Sequence, residues 1–173
     1  MKAKVINIFA GPGAGKSTTA ARLFSEMKIR HMDVELVTEY AKELLAEGRM
    51  NVLLEDQVYI TAKQARKIKR IEDKFKFIVT DAPIVQGLLY KPHDYFTCFE
   101  PLIVEIFKTY NNYNFFLARK TKYDTNGRYQ TEDQAKEIDV KLQEILTKHE
   151  IPFMVIEDIT QAVDFILNNI DEN

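Results

Sequence analysis

The fold is decided by a stretch near the start of the chain, Val5-Ile6-Asn7-Ile8-Phe9-Ala10-Gly11-Pro12-Gly13-Ala14-Gly15-Lys16-Ser17-Thr18. Residues 5–9 are mostly apolar and predict a buried β-strand, while the residues from Lys16 onward predict an amphipathic helix. The segment between them has the Gly-x-x-x-x-Gly-Lys-Ser pattern of a phosphate-binding loop, with Ala10 in the first position, where glycine is usual. A strand, a turn of small residues and a helix in this order predict a site for phosphate groups.

Each residue type in this loop suits a triphosphate. Small residues let backbone N–H groups turn toward the β- and γ-phosphates, and the following helix adds its positive end. Lys16 supplies a cation to the phosphate oxygens, and the Ser17 hydroxyl is a ligand for Mg²⁺. The loop therefore predicts ATP and Mg²⁺ as cofactors. The predicted nucleotide-binding residues are Gly11, Gly13, Ala14, Gly15, Lys16, Ser17 and Thr18.

Glycine-rich turns after a strand also occur in dinucleotide-binding folds. That fingerprint requires Gly-x-Gly-x-x-Gly and an acidic residue about 20 positions later. Here the glycines at positions 11 and 13 continue into Gly15-Lys16-Ser17 instead. Binding of NAD in a Rossmann crevice is therefore disfavoured.

The rest of the chain alternates short apolar runs with helical patterns. Continuous apolar strands are typical of a parallel sheet covered by helices on both faces. We therefore predict a single three-layer α/β/α domain over residues 1–173, with its ligand site at the carboxyl ends of five strands. The predicted strands are 5–9, 34–37, 75–80, 113–117 and 153–156. The predicted helices are 16–27, 39–46, 54–73, 101–110, 132–149 and 162–170.

The composition fits one domain and excludes several classes of protein. The 173 residues are 46% hydrophobic and 29% charged, which allows one good core. A formal charge of −2 gives no global positive field that would attract nucleic acid or anionic membranes. Cys98 is the single cysteine, so no internal disulfide can form, and no apolar run approaches the ~20 residues that cross a bilayer. We therefore expect a cytoplasmic protein.

An acidic residue ends the third predicted strand. Residues 77–80 are mostly apolar and lead into Asp81, which is the Walker-B form and predicts a carboxylate that holds Mg²⁺ or contacts a substrate hydroxyl. The alternative is that Asp81 caps a helix after Ala82-Pro83, since aspartate followed by an early proline is a common helix start. The phosphate-binding loop in the same chain favours the functional interpretation.

A second acidic residue, Glu39, follows the second predicted strand. A kinase must take a proton from the incoming hydroxyl, and a carboxylate opposite the phosphate loop is the usual means. An acid in a first helical turn is also stabilised by the helix dipole, by about 0.3–1 kcal/mol. Both interpretations of Glu39, as base or substrate ligand and as a helix-start residue, stay open.

A polar segment follows the fourth predicted strand, at residues 119–130. The segment predicts a lid that could close over the phosphates. Arginines placed around a transferring phosphoryl group would stabilise the charge that spreads over it. We predict Arg119 and Arg128 as the catalytic arginines of this lid and Lys120 and Lys122 as surface residues. The alternative is a solvated basic loop.

Four motifs together resemble the NadR-type P-loop ATPase/kinase family, which includes a nicotinamide-riboside kinase domain. They agree in order and spacing over nearly the whole chain. The motifs are Gly11-Pro12-Gly13-Ala14-Gly15-Lys16-Ser17-Thr18, Thr38-Glu39-Tyr40-Ala41-Lys42, Thr80-Asp81-Ala82-Pro83 and Tyr123-Asp124-x-x-Gly127-Arg128. The resemblance implies an AAA-labelled P-loop NTPase domain whose sheet has the kinase-type strand order 2-3-1-4-5.

The resemblance also implies roles for single residues. Lys16 and Ser17 would serve ATP and Mg²⁺, Asp81 would be the Walker-B acid, and Glu39 would face the acceptor. Asp124 and Arg128 would fall in the lid. The chain departs from the family at Lys42, where arginine is frequent, and in having no arginine after Asp81, which weakens the case for a monophosphate acceptor.

The predicted helix 54–73 carries a basic stripe. Such a stripe is most often a solvated face, although it could contact a nucleic-acid backbone. Its residues are Lys63, Arg66, Lys67 and Arg70.

The leading prediction is an ATP-dependent phosphotransferase that moves the γ-phosphoryl group to a hydroxyl of a nucleoside- or nucleotide-like acceptor. The alternatives are a kinase that acts on polynucleotides and a nucleotide-switched ATPase without a metabolic product. The predicted catalytic residues are Lys16, Glu39, Asp81, Arg119 and Arg128, and the predicted metal ligands are Ser17 and Asp81.

Overall fold

The protein forms a five-stranded parallel sheet, seen in a computed structural model that describes residues 2–119 and 131–170. The strands are β1 (Lys4–Phe9), β2 (Val34–Val37), β3 (Phe77–Thr80), β4 (Asn111–Leu117) and β5 (Met154–Ile156). Every neighbouring pair is parallel, and the order across the sheet is β2-β3-β1-β4-β5. The predicted parallel sheet and the implied order 2-3-1-4-5 are both confirmed.

Helices connect the strands. In the described ranges these are α1 (Lys16–Ile29), α2 (Tyr40–Ala46), α3 (Met50–Glu55), α4 (Gln57–Lys69), α5 (Phe99–Lys108), α6 (Glu132–Lys148) and α7 (Ala162–Asn169). Two 3₁₀ segments, Ile84–Tyr90 and Ile159–Gln161, follow β3 and β5. None of the helices in the described ranges combines the length and the apolar character needed to cross a membrane.

The sheet separates two hydrophobic cores, and β1 contributes to both because its side chains alternate in direction. Val5 and Phe9 join the core formed with α4, α5, α6 and the first 3₁₀ segment. Ile6 and Ile8 join the core formed with α1 and α7. Burial on both faces is the reason that β1 is apolar along nearly its whole length.

The structure corrects one predicted helix and adds a segment. The predicted helix 54–73 is interrupted at Asp56, where φ is −117° and ψ is 66°, so α3 ends and α4 begins. The Asp56 carboxylate accepts a hydrogen bond from the backbone N–H of Tyr59 at 3.0 Å and thereby caps α4. The 3₁₀ segment Ile84–Tyr90 had no predicted counterpart, since its short apolar run carries no helical period.

A charged cluster ties the end of α6 to the start of α5. Glu100 accepts hydrogen bonds from Lys148 Nζ at 2.5 Å and from His149 Nε2 at 2.8 Å. Lys91 Nζ lies 3.5 Å from the other carboxylate oxygen. The hydrogen bond from Lys148, helped by that from His149, lowers the pKa of Glu100 to about 2. The folded protein therefore favours the ionised form of the Glu100 carboxyl group.

We predict that this cluster stabilises the fold at neutral pH and fails in acid. Because the folded-state pKa of Glu100 lies below its usual value of 4.5, the stabilisation is complete above about pH 4.5 and is lost as the pH falls toward 2. Urea unfolding should show a free-energy difference between the wild type and Glu100→Gln that shrinks from about pH 7 to about pH 3. Glu105→Gln, at an exposed position of α5, is the control. A Glu100→Gln difference that is equal at both pH values would contradict the prediction.

Candidate active site

Four segments meet at the carboxyl edge of the sheet. The phosphate-binding loop follows β1, Glu39 follows β2, Asp81 follows β3 directly, and Arg119 follows β4. Parallel strands place their carboxyl ends at one edge, so residues far apart in sequence converge there. The structure thus brings together the predicted site residues that lie in the described ranges.

The loop turns through two glycines in the left-handed region. Gly13 has a φ of 81° and Gly15 a φ of 90°, which other residues rarely adopt. Lys16, the first residue of α1, is buried, and its Nζ donates to the carbonyl oxygens of Ala10 at 2.8 Å and Gly11 at 3.1 Å. Burial lowers the pKa of Lys16, and the charges of nearby carboxylates act in the opposite direction.

Asp81 is joined to the loop. Its Oδ2 accepts a hydrogen bond from Ser17 Oγ at 2.6 Å, while the residue as a whole is only 3% exposed. The alternative that Asp81 caps a helix is wrong, because the 3₁₀ segment that follows begins at Ile84 with Pro83 in the capping position and no side-chain cap.

The Ser17 and Asp81 pair fits a magnesium site. Asp81 Oδ1 is buried and has no hydrogen-bond partner among the described residues. Mg²⁺ takes oxygen ligands and in nucleotide sites is usually held by one or two carboxylates together with phosphates. A hydroxyl and a buried carboxylate next to the loop would supply the protein part of that set.

Glu39 occupies the N-cap position of α2 without acting as a cap. Its side chain makes no capping hydrogen bond. Its Oε2 lies 3.3 Å from Lys42 Nζ, and its side chain is 25% exposed, against 4% for Asp81. Glu39 is thus the more accessible of the two predicted carboxylates.

Lys42 links these groups. Its Nζ donates to Ser17 Oγ at 2.5 Å and to Asp81 Oδ2 at 2.9 Å. Burial by itself would lower the pKa of Lys42, but the charges of Glu39 and Asp81 outweigh it and raise the pKa. In the sequence, Lys42 stood out only as a departure from the family's arginine.

A carboxylate that the sequence analysis missed, Asp139 of α6, supports the loop from the other side. Its Oδ1 accepts from the Gly11 N–H at 2.5 Å, and its Oδ2 accepts from Arg119 Nε at 2.7 Å. A Cβ on Gly11 would lie 2.7 Å from Asp139 Oδ1 and 2.9 Å from the carbonyl oxygen of Ala135, so the helix can approach only a glycine. The available signal was an acid on the buried stripe of α6, between Ala135 and Leu142.

The 3₁₀ segment after β3 adds polar groups to the neighbourhood of Glu39. Partial burial raises the pKa of Tyr90 to about 12, and the charge of Glu39 adds to the effect, while 41% of the surface of the residue stays exposed. Gln86 on the same segment is buried, and its Oε1 has no hydrogen-bond partner among the described residues. These two side chains were not predicted as site residues.

The residues of the predicted lid and of the basic stripe differ in what the structure shows of them. Arg128, Asp124, Lys120 and Lys122 lie outside the described residues, whereas Arg119 is held by Asp139. On α4, one member of the stripe is engaged within the protein, because Lys67 Nζ contacts Glu43 Oε1 at 2.5 Å and the carbonyl oxygen of Thr38 at 2.9 Å. Lys63 Nζ lies 5.3 Å from the centre of the Tyr59 ring.

The chain is similar to known proteins in sequence and in fold. A family model described as an AAA domain matches residues 5–162. Among curated proteins, none matches the sequence.

Several solved structures share the fold. NadR protein in complex with NR is 20% identical with a TM-score of 0.69, and the match covers 96% of this chain and 51% of that one. Deoxyadenosine kinase from M. mycoides with bound dATP is 15% identical with a TM-score of 0.60, covering 95% and 97% of the two chains. Thymidylate kinase from Ehrlichia chaffeensis is 17% identical with a TM-score of 0.61, covering 97% and 98%. The chain spans about half the length of the NadR chain that it matches.

The family model spans most of the sequence, and the strand order is that of the matched kinases. The chain therefore belongs to the AAA-domain family, and its fold is that of NadR and other P-loop kinases, as the resemblance implied.

Proposed function

We propose that the protein is an ATP-dependent phosphotransferase that acts on a hydroxyl of a nucleoside-like acceptor. The observation that carries the proposal is the position of Glu39, whose carboxylate is not used in capping and lies beside the Ser17–Asp81 pair at the phosphate-binding loop. A protein that only binds and releases nucleotide does not need a second accessible carboxylate there. The names of the matched kinases agree with a nucleoside or nucleotide acceptor.

The loop binds the triphosphate in this proposal. Backbone N–H groups of residues 13–16 and the start of α1 face the phosphates, and Lys16 exchanges its contacts with the loop carbonyls for phosphate oxygens. Ser17 and Asp81 would hold Mg²⁺, which neutralises charge on the phosphates when it is bound. Arg119, and Arg128 from the lid, stabilise the charge that spreads over the transferring group.

Glu39 is the proposed general base. It takes the proton as the acceptor O–H bond breaks, the acceptor oxygen bonds to the γ-phosphorus, and the bond from that phosphorus to the bridging oxygen of ADP breaks. Asp81 is less suited to this role, because its Oδ2 is already engaged by Ser17 and Lys42 and its side chain is buried. We assign it to the metal.

The proposal is tested by incubating the protein with ATP, Mg²⁺ and a panel of nucleosides that includes nicotinamide riboside. Phosphorus NMR should show a new phosphomonoester and stoichiometric ADP for at least one member of the panel. Lys16→Ala, checked for folding by circular dichroism, should form no product. Failure of every nucleoside would contradict the proposal. Phosphorylation of an oligonucleotide with a free 5′-hydroxyl, offered in a parallel incubation, would in that case support the polynucleotide alternative.

We predict that Glu39→Gln lowers kcat by about 10² to 10⁴ with little change in the affinity for ATP, because the general base is lost and the loop is intact. The measurement is steady-state kinetics with the accepted nucleoside. Glu43→Gln, on an exposed acid of the same helix, is the matched control and should keep the wild-type kcat. If Glu39→Gln keeps the wild-type kcat, Glu39 is not the base.

We also predict that Asp139 positions the loop. Asp139→Ala removes the hydrogen bonds from the Gly11 N–H and from Arg119 Nε, so the free energy of unfolding should fall by about 2–4 kcal/mol. The Kd for ATP, measured by calorimetry, should rise as Gly11 and Arg119 lose their support. Glu144→Ala, at an exposed position of α6, is the control and should change neither quantity. Unchanged ATP affinity in folded Asp139→Ala would refute this role.

A further inference from the structure

Lys42 contacts the same two groups that are assigned to Mg²⁺. Its ammonium nitrogen lies 2.5 Å from Ser17 Oγ and 2.9 Å from Asp81 Oδ2. The two oxygens are 2.6 Å apart. A divalent cation held by Ser17 Oγ and the Asp81 carboxylate would lie close to this ammonium group, and two positive charges that close repel each other strongly. Lysine and metal ion therefore compete for one position.

Asp81 requires a positive partner whether or not nucleotide is bound. Its side chain is 4% exposed, and a buried carboxylate without a compensating charge is strongly destabilising. Lys42 is the ion-pair partner that the structure shows for Asp81. Lys16 does not fill this position, because its Nζ donates to the carbonyl oxygens of the loop.

The Lys42 ammonium group can also move away from Ser17 and Asp81. Half of its side chain is exposed, and a flexible four-carbon stem carries the ammonium group. Glu39 Oε2 lies 3.3 Å from the same nitrogen, and the Glu39 side chain is 25% exposed, against 4% for Asp81. The ammonium group can thus give up Ser17 and Asp81 and keep a carboxylate partner.

We propose that Lys42 is a resident counter-ion of the Ser17–Asp81 pair and that it moves toward Glu39 when Mg²⁺ enters with the nucleotide. The inference rests on the proposed function for the assignment of Ser17 and Asp81 to the metal. Lys42 is then a positioning residue, which keeps the site neutral before nucleotide binds and accompanies the proposed base afterwards. It also keeps Mg²⁺ alone from binding well, because the metal ion must displace a cation without help from phosphates.

The test is a calorimetric titration of the nucleotide-free protein with MgCl₂ and no nucleotide. Replacing Lys42 by a neutral residue should tighten Mg²⁺ binding by about tenfold to a hundredfold, because the competing charge is gone. The variants are Lys42→Met, which keeps the length of the stem, and Lys42→Gln, which can still hydrogen-bond to Asp81. Lys42→Arg keeps the charge and should bind Mg²⁺ as weakly as the wild type.

Lys136→Met is the matched control. Lys136 is 55% exposed, against 51% for Lys42, and its Nζ lies 3.0 Å from Glu132 and 3.9 Å from Asp133. It therefore also pairs with two carboxylates, but on α6 and without a loop hydroxyl. This variant should bind Mg²⁺ like the wild type, and adding Asp81→Asn to Lys42→Met should abolish the gain.

The proposal is overturned if folded Lys42→Met and Lys42→Gln bind Mg²⁺ no more tightly than the wild type. If Lys42→Met does not fold, Lys42→Gln decides, since its amide can still donate a hydrogen bond to the Asp81 carboxylate. The titration contains neither ATP nor acceptor, so its outcome is independent of phosphoryl transfer. If the Lys42 variants gain Mg²⁺ affinity but the protein phosphorylates no acceptor, the role of Lys42 as counter-ion is supported and the proposed function is refuted.

Discussion

Compensation of buried charge is the constraint on which the site depends. Lys16 and Asp81 are both almost fully buried, and neither can remain ionised there without close partners. The carbonyl oxygens of the loop surround the Lys16 ammonium group, while Ser17 and Lys42 surround the Asp81 carboxylate. Each of these contacts involves Lys16, Ser17 or Asp81, which the proposed phosphoryl transfer would also need. In the proposed function, substrates would therefore replace these partners when they bind, and they would not fill an empty space.

The strand order determines which chemistry lies on which side of the loop. Because β1 lies between β3 and β4, Asp81 approaches the phosphate-binding loop from one flank and Arg119 from the other. The next strand beyond β3 is β2, so Glu39 stands on the Asp81 side. Carboxylates suited to a metal and an acceptor are therefore separated from the arginine suited to the phosphates. Asp139 links that arginine to the loop, because it accepts hydrogen bonds from both Arg119 Nε and the Gly11 N–H.

Local pattern predicted most of the fold and part of the site. The five strands are close to where their apolar runs placed them. Glu39 and Asp81 lie at the carboxyl edge of the sheet, as their positions after parallel strands predicted, and their catalytic roles stay a prediction. The predicted helix 54–73 was wrong at Asp56, because a side-chain cap interrupts a helix without disturbing its hydrophobic period. Asp139 lies within a helix, where an acid ordinarily marks a solvated face, and its role depends on a glycine distant in sequence.

The sequence by itself determined the conformation of the phosphate-binding loop and the alternation of strands and helices, because glycine positions, capping residues and hydrophobic period act over a few residues. Only the tertiary structure decided which charges meet. Ser17 and Asp81 are 64 residues apart, and Gly11 and Asp139 are 128 apart. Such pairs form when crossover connections bring strand ends and helices together. A pattern that extends over a few residues does not indicate which residues far apart in sequence will meet.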